Sequence, residues 1–200
     1  MNANRFASFF KGTWDATIYT EGFTTLDGQF IDINTFIAHP TLDPFYVKIM
    51  DFVEGTFDAD KQISPIELAE LTEYESQLAQ DIVHSFRKAE PCHGLEIELT
   101  DIEFWSTYGF YFASKIRAGV ALTQFRQLGD EAGQGQAVHY LKAALVHWQT
   151  MVDLAERYNV QTIPYQFDPE FSWRKHSVDV EADIEIARRN IVSGARIDLR

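Results

Sequence analysis

The chain has 200 residues, which is enough for one domain with a full hydrophobic core. Its apolar content of 46% is typical of a globular protein, and its aromatic content of 14% indicates either a well-filled core or a binding surface with exposed rings. The formal net charge of −13 is carried by the first half of the chain, whereas the residues after 103 are neutral overall. This charge excludes nucleic acid and an anionic membrane surface as expected partners.

The N-terminal part of the chain is predicted to hold one strong helix followed by mostly irregular structure. The helix covers residues 4–19, where apolar residues recur at every fourth position: Phe6, Phe10, Trp14 and Ile18. Residues 20–28 have loop composition, and residues 30–44 are predicted to be irregular because two prolines interrupt them. A short helix is predicted near residues 45–53, ending at Gly55.

The second strong helix has a complete start signal. Ser64 is the predicted N-cap, Pro65 occupies the first helical position, and Glu67 completes a capping box. Pro91 and Gly94 are predicted to end the helix. Its large apolar residues form one stripe at helical spacing: Leu71, Tyr74, Leu78, Ile82 and Phe86.

Two long helices are predicted to follow as a hairpin. A second capping box, Thr100 with Glu103, starts a helix over about residues 101–128, and in an alternative interpretation residues 95–99 extend this helix backward. Its dense apolar content predicts a central position in the domain. The next helix covers about residues 136–158, with apolar residues at alternating spacings of four and three: Ala137, Leu141, Ala144, Trp148, Met151, Ala155 and Tyr158. The short connection Gly129–Gly135 makes the two helices antiparallel neighbours.

The C-terminal part begins with an irregular segment, residues 159–176, that is rich in aromatic residues. A last helix is predicted to begin at Ser177 as its N-cap and to end at Gly194. No stretch of the sequence alternates long enough to predict a β-sheet.

These elements predict an all-α fold. We expect an irregular bundle of about five to six helices, built on a long antiparallel hairpin of residues 101–128 and 136–158. The whole chain, residues 1–200, is expected to form a single domain, with a loop-rich part at 1–60 and a helical core at 61–200.

The residues that usually carry chemistry form no recognisable catalytic or metal-binding pattern. Cys92 is the only cysteine, which excludes an internal disulfide and a cysteine-based metal cluster. His139 and His147 lie more than two helical turns apart, too far to share a metal ion without further ligands. Neither a nucleophile elbow nor a phosphate-binding loop is present in the sequence. We therefore predict no catalytic residue, no metal and no cofactor.

Aromatic residues in the loops suggest a sugar-binding surface, since flat rings stack on the C–H faces of sugars while carboxylates bind the hydroxyls. The candidate contact residues are Trp14, Tyr19, Glu21 and Trp173. In the alternative interpretation, the loops fold back and bury these rings in the core.

The sequence lacks the features of a membrane or exported protein. No apolar run approaches the roughly 18 residues of a membrane span, and no basic-then-apolar signal peptide opens the chain. The expected location is the cytoplasm if Met1 is the native start, and the periplasm or the outside of the cell if the chain is a fragment of a larger exported protein.

Several segments together resemble one protein family: residues 4–15, 19–23, 39–44, 111–117 and 140–148. They are similar to the helical region that follows the catalytic barrel in large bacterial α-glucuronidase-like polysaccharide-processing proteins. The resemblance implies that the catalytic acids belong to a barrel outside this chain. It also implies a non-catalytic accessory domain that packs on the barrel, with contributions to the substrate cleft or to homodimer contacts. Its expected ligand is a polysaccharide or oligosaccharide, and some of its apolar surface would face a partner.

A second resemblance gives an alternative function. The pattern of small and apolar residues over 137–145, preceded by a Gly-Asp turn, is similar to one hairpin of a tetratricopeptide-type repeat. Proteins of that class are helical scaffolds that bind peptides or other proteins. No second copy follows at about 34-residue spacing, although such arrays need about three repeats for stability.

Overall fold

The computed structural model describes residues 29–41, 43–89, 94–158 and 171–189. These residues form an all-α bundle, as predicted. Their helices, in chain order, are α1 (Ile33–Ala38), α2 (Ile49–Glu54), α3 (Pro65–Ala89), α4 (Glu96–Leu128), α5 (Glu131–Tyr158) and α6 (Ser177–Arg188). A short 3₁₀ turn, Arg174–His176, leads directly into α6.

The central element is α4, which packs against α1, α2, α3 and α5. Large side chains on several sides of this helix are fully buried, among them Tyr108, Tyr111, Phe112 and Ile116. The predicted central position of this helix is therefore confirmed. It follows from an apolar surface that covers most of the helix circumference.

The antiparallel hairpin is confirmed, and its turn is tighter than predicted. Gly129 ends α4 in the left-handed conformation, with φ 71°, and its N–H bonds to the Phe125 carbonyl. Only Gly129 and Asp130 separate α4 from α5, so the predicted helix start at residue 136 is wrong. Its glycines predict a loop, but Gly133 lies inside α5, where it contacts α4.

The start of α3 has the predicted capping box. The Ser64 N–H donates to the Glu67 carboxylate at 2.8 Å, and the Glu67 N–H donates to the Ser64 hydroxyl oxygen at 3.2 Å. Hydrogen bonds from the Ser64 backbone and the Ser64 side chain to the carboxylate lower the pKa of Glu67. The local sequence signal is thus sufficient to place this helix start.

The region predicted to be irregular, residues 30–44, contains a short helix. Asp32 caps α1 by accepting a hydrogen bond from the Thr35 N–H at 2.7 Å. Ile33, Phe36 and Ile37 are buried against the core. An N-cap residue followed by apolar residues at helical spacing was the signal that could have predicted it.

Two other predicted helix starts are wrong. Thr100 is not a cap, because α4 already begins at Glu96 and the Thr100 hydroxyl donates to the Glu96 carbonyl at 2.7 Å. The alternative, a backward extension over residues 95–99, is the one the structure shows. Ser177 is the first residue of α6 rather than its cap, because the 3₁₀ turn continues into the helix. In both places a preceding turn of helix overrides the capping signal.

The predicted helix over 4–19 lies outside the described residues. The last helix ends earlier than predicted, at Arg188 rather than near Gly194, because Arg189 takes an extended conformation. Within the described part, α1 and α2 pack on α4, so residues 29–60 belong to the same core as the later helices. None of the described helices has the length and apolar content that crossing a membrane requires.

Candidate docking surface

The outer face of α3 carries five large apolar side chains that are between 40% and 63% exposed. We call this set the α3 stripe: Leu71, Tyr74, Leu78, Ile82 and Phe86. It extends over about 22 Å of helix. An apolar stripe of this kind ordinarily faces the core, and a contiguous exposed one typically marks an interaction site.

The inner face of α3 is built from small side chains instead. Ala69, Thr72 and Ser76 are almost fully buried, with Leu68 and Val83 near the two ends of the contact. The facing helix, α4, contributes two buried small residues that contact α3: Thr107 accepts a hydrogen bond from Gln80, and Thr100 accepts one from Arg87. Small residues allow two helix backbones to approach closely, so α3 packs on α4 without using its large apolar residues.

Polar contacts fix the rotation of α3 about its own axis. Arg87 pairs with Glu103 at 2.6 Å and with Glu96 at 3.0 Å on α4. Near the other end, Arg117 pairs with Glu73 at 2.6 Å. The hydrogen bond to Glu103 raises the pKa of Arg87. A rotation of α3 that buried the stripe would break these pairs at both ends of the helix.

A shallow polar groove of about 280 Å³ also lies between α3 and α4. It is lined by Gln77, Gln80, Asp81, Val83, His84, Arg87 and Glu103, and by no member of the α3 stripe. Arg87 and Glu103 are paired with each other across it. The groove therefore belongs to the polar side of the α3–α4 contact, and the stripe is a separate surface.

The four predicted sugar-contact residues are not brought together in the described structure. Trp14, Tyr19 and Glu21 lie outside the described residues. Trp173 is only 3% exposed. Its ring packs against Phe104, Trp148 and Phe171, with centroid distances of 4.9, 5.6 and 5.3 Å.

Trp173 is also fixed through its backbone, because the Trp148 indole N–H donates to the Trp173 carbonyl at 3.1 Å. At this position the alternative interpretation, burial of a loop ring in the core, is the one the structure shows. The ring has no exposed face on which a sugar could stack.

A buried ion pair that the sequence did not reveal joins α4 to α6. Lys115 Nζ lies 3.0 Å from Asp183 Oδ2, and both side chains are almost fully buried. The ammonium also donates to the Ile31 carbonyl at 2.5 Å and the Tyr111 hydroxyl at 3.2 Å, while Asp183 accepts the Ile33 N–H at 2.7 Å. Every strong bond of this cluster is made inside the protein, so its role is structural.

The low polarity around this cluster shifts the pKa values of two of its groups, Asp183 and Tyr111. Burial raises the pKa of the Asp183 carboxyl, and the neighbouring Lys115 ammonium opposes that shift. Burial, helped by the Asp183 charge, raises the pKa of Tyr111 well above its ordinary value. Tyr111 is therefore a neutral hydrogen-bonding group at physiological pH.

The remaining candidates for chemistry are dispersed. His147 stacks on Phe110 with a centroid distance of 5.4 Å, and burial lowers its pKa. His139 contacts the neighbouring Tyr140 ring. Across the ranges that the structure describes, no three His, Cys, Asp or Glu side chains converge as metal ligands.

Sequence patterning identified the residues of the α3 stripe but not their exposure. The signal that could have shown it is the second row on the same helix, Ala69, Thr72 and Ser76, which is small enough for close helix packing. A helix that has small residues on one face and large apolar residues on another can pack against its neighbour with either face. The sequence alone does not say which of them meets the neighbouring helix.

Comparison with known proteins identifies no relative. No family model, no curated protein and no solved structure matches this chain. The resemblances stated from the sequence therefore stay predictions. The α3 stripe, by contrast, is a feature of the structure itself.

Proposed function

We propose that the chain is a non-catalytic helical accessory domain of a carbohydrate-active protein, and that it docks on the catalytic barrel through the α3 stripe. The proposal of docking rests on one observation: five large apolar side chains are exposed along one face of a 25-residue helix. Exposed apolar surface of this extent is costly in water and is stabilised when another protein covers it.

The rest of the bundle gives this surface a rigid support. Both ends of α3 are held by ion pairs to α4, and α4 itself is buried among four other helices. The stripe is therefore presented without a conformational change, which reduces the entropy lost on association. An outer helix of a barrel is a suitable counterpart, since two helical faces pack with side-chain ridges in grooves.

The carbohydrate part of the proposal rests on the resemblance of the five segments to the helical region of α-glucuronidase-like proteins. Sugar contact by Trp14, Tyr19 and Glu21 remains a hypothesis within this proposal. At Trp173 the indole ring is packed in the core, so this residue supports the loop rather than a ligand. The tetratricopeptide-like alternative stays a hypothesis without a supporting observation of its own.

The test is a binding measurement with the polypeptide encoded immediately upstream of this chain, produced separately and titrated by calorimetry. We expect a barrel domain that binds the chain, and we expect the double substitution Leu78→Glu with Ile82→Glu to weaken binding at least about tenfold, because two apolar contacts become buried charges. A matched variant carries the same change at exposed apolar residues on other helices, Val146→Glu with Val178→Glu.

Three outcomes would contradict the proposal. The first is an upstream polypeptide that is not a carbohydrate-active barrel, or one that does not bind. The second is binding that the α3 variant and the matched variant weaken equally. The third is glycosidase turnover by the isolated chain on uronic-acid-bearing oligosaccharides that Glu21→Gln abolishes.

A further inference from the structure

Two oppositely charged residues, Glu70 and Lys88, lie near the two ends of α3. They are 18 residues apart, which is five full helical turns, so they lie on the same side of the helix. Glu70 precedes Tyr74 of the α3 stripe by four positions, so this side borders the stripe. Both side chains are exposed, and neither forms an ion pair with any residue that the structure describes.

This border of the stripe is symmetric about the middle of α3. We call its four polar residues the polar border: Glu70, Gln77, Asp81 and Lys88. They follow one another at spacings of seven, four and seven residues, and position 79 is the centre of this pattern. Spacings of four and seven keep side chains on nearly the same side of a helix. Gln77 donates one amide N–H to Asp81 at 2.9 Å and has a second N–H for another acceptor.

Reversing the direction of α3 exchanges the charges of the polar border. Two antiparallel copies of the helix, related by a two-fold axis at position 79, place Lys88 of each copy opposite Glu70 of the other. Near the axis, the Gln77 amide of each copy meets the Asp81 carboxylate of the other. The two apolar stripes overlap along their whole length, because the stripe is centred at nearly the same position. A parallel pair would instead bring Glu70 against Glu70 and Lys88 against Lys88.

The other charged residues beside the stripe have partners within the chain. Glu75 and Phe86, which lie along the opposite border of the stripe, each have an interaction inside the chain. Glu73 pairs with Arg117, and Glu67 is bonded in the helix cap. The polar border is therefore the side of the stripe where opposite charges remain for a second chain.

We infer that α3 of a second copy covers the α3 stripe, in an antiparallel pair whose two-fold axis passes near position 79. The net charge of −13 on each copy opposes association at long range. Salt screens charges more than about 8 Å apart at physiological ionic strength, so the contacts of the polar border set the orientation. One helix pair buries less surface than a standard interface of about 1,600 Å², so the dimer is weak and the dilute chain is a monomer.

The dimer is a state of the chain without its barrel. It does not require the barrel, because every residue of its interface belongs to this chain. The barrel of the proposed function uses the same face of α3, so barrel docking displaces the second copy and the two complexes exclude each other.

Sedimentation velocity of the full chain, from about 1 µM to about 300 µM, tests whether the dimer forms. We expect the sedimentation coefficient to rise with concentration from that of a monomer to that of a dimer. Leu78→Glu with Ile82→Glu should keep the chain monomeric throughout, because two apolar contacts become like charges at the interface. The matched variant, Val146→Glu with Val178→Glu, carries the same charges on other helices and should still dimerise.

A charge exchange on the polar border tests the antiparallel orientation. Glu70→Lys and Lys88→Glu should each raise the dissociation constant about three- to tenfold, because two ion pairs per dimer become like-charge contacts. Both substitutions in one chain should restore it. Glu70→Lys makes each copy less negative, so a general effect of net charge would strengthen the dimer instead. The controls Glu181→Lys and Lys142→Glu make the same charge changes at exposed positions of α6 and α5 and should leave the dimer nearly unchanged.

A chain that stays monomeric at the highest concentration would overturn the inference. So would a dimer that Leu78→Glu with Ile82→Glu leaves intact, or a charge exchange that does not restore association. Circular dichroism of each variant verifies that the helical fold is retained. These results are independent of the upstream polypeptide: a dimer without barrel binding refutes the proposed function alone, and barrel binding by a chain that never dimerises refutes the antiparallel pair alone.

Discussion

Lys115 and Asp183 show how a single buried ion pair can organise this fold. Their pairing connects α4 to α6, and further bonds fix the backbone at the start of α1 through Ile31 and Ile33. The Phe30 ring lies 4.4 Å from the ammonium and adds a cation–π contact. Bringing both charges out of water is costly, so the net stabilisation by the pair is small while the loss of one partner is severe.

At the residue scale we predict that Lys115→Met lowers the free energy of unfolding by about 3–5 kcal/mol, because the Asp183 carboxylate is left buried without its counter-charge. Asp183→Asn removes that charge but keeps an oxygen that accepts the Ile33 N–H. The double variant should therefore be more stable than Lys115→Met alone. Urea unfolding of the four proteins in the cycle measures the coupling.

The exposed pair Lys61–Asp58 is the control for this cycle. Lys61→Met should change stability little, because solvent screens an exposed ion pair. If the Lys115→Met and Asp183→Asn effects were additive, the buried pair would have no special coupling and this account of the cluster would be wrong.

At the scale of elements, the α4–α5 crossing depends on one glycine. A Cβ atom at Gly133 would lie 2.6 Å from the Ala121 carbonyl oxygen and 3.2 Å from the Phe125 nitrogen, and both atoms belong to the α4 backbone. Backbone atoms cannot move aside as a flexible side chain can. Any larger residue at position 133 must therefore push the two helices apart.

We predict that Gly133→Ala destabilises the protein by about 1–3 kcal/mol, because it overpacks the helix crossing. Gly135→Ala is the matched control: a Cβ there meets nothing within 4 Å. Since alanine favours the helix over glycine, the control should raise stability by up to about 1 kcal/mol. Thermal unfolding followed by circular dichroism compares the two, and an equal shift for both variants would contradict the close approach at Gly133.

At the scale of the whole molecule, we predict opposite effects on stability for substitutions on the two faces of α3. Leu78→Glu changes an exposed residue of the stripe, so the melting temperature of the isolated chain should hardly move. Val83→Glu places an unpaired carboxylate at a position that is 3% exposed on the same helix. This substitution should lower the free energy of unfolding by about 3 kcal/mol or more. Differential scanning calorimetry measures both. Similar losses of stability would show that the stripe is covered within the chain.

Local signals made much of the fold predictable. Ser64 with Glu67 placed the start of α3, and Gly129 placed the end of α4, because capping bonds and the left-handed glycine involve only neighbouring residues. The candidate site was predictable only as a list of apolar residues. Its exposure depends on Arg87 and Arg117, which pair across the α3–α4 contact with residues 16 and 44 positions away in the sequence.

The sequence by itself determined the all-α class, the central helix and the antiparallel hairpin, since hydrophobic periodicity and a short connection are properties of adjacent residues. Only the tertiary structure decided that Lys115 is buried beside Asp183, that Trp173 packs in the core and that the α3 stripe faces outward. The physical reason is common to all three. Burial is set by which segments meet, and here they meet through contacts that join distant parts of the chain.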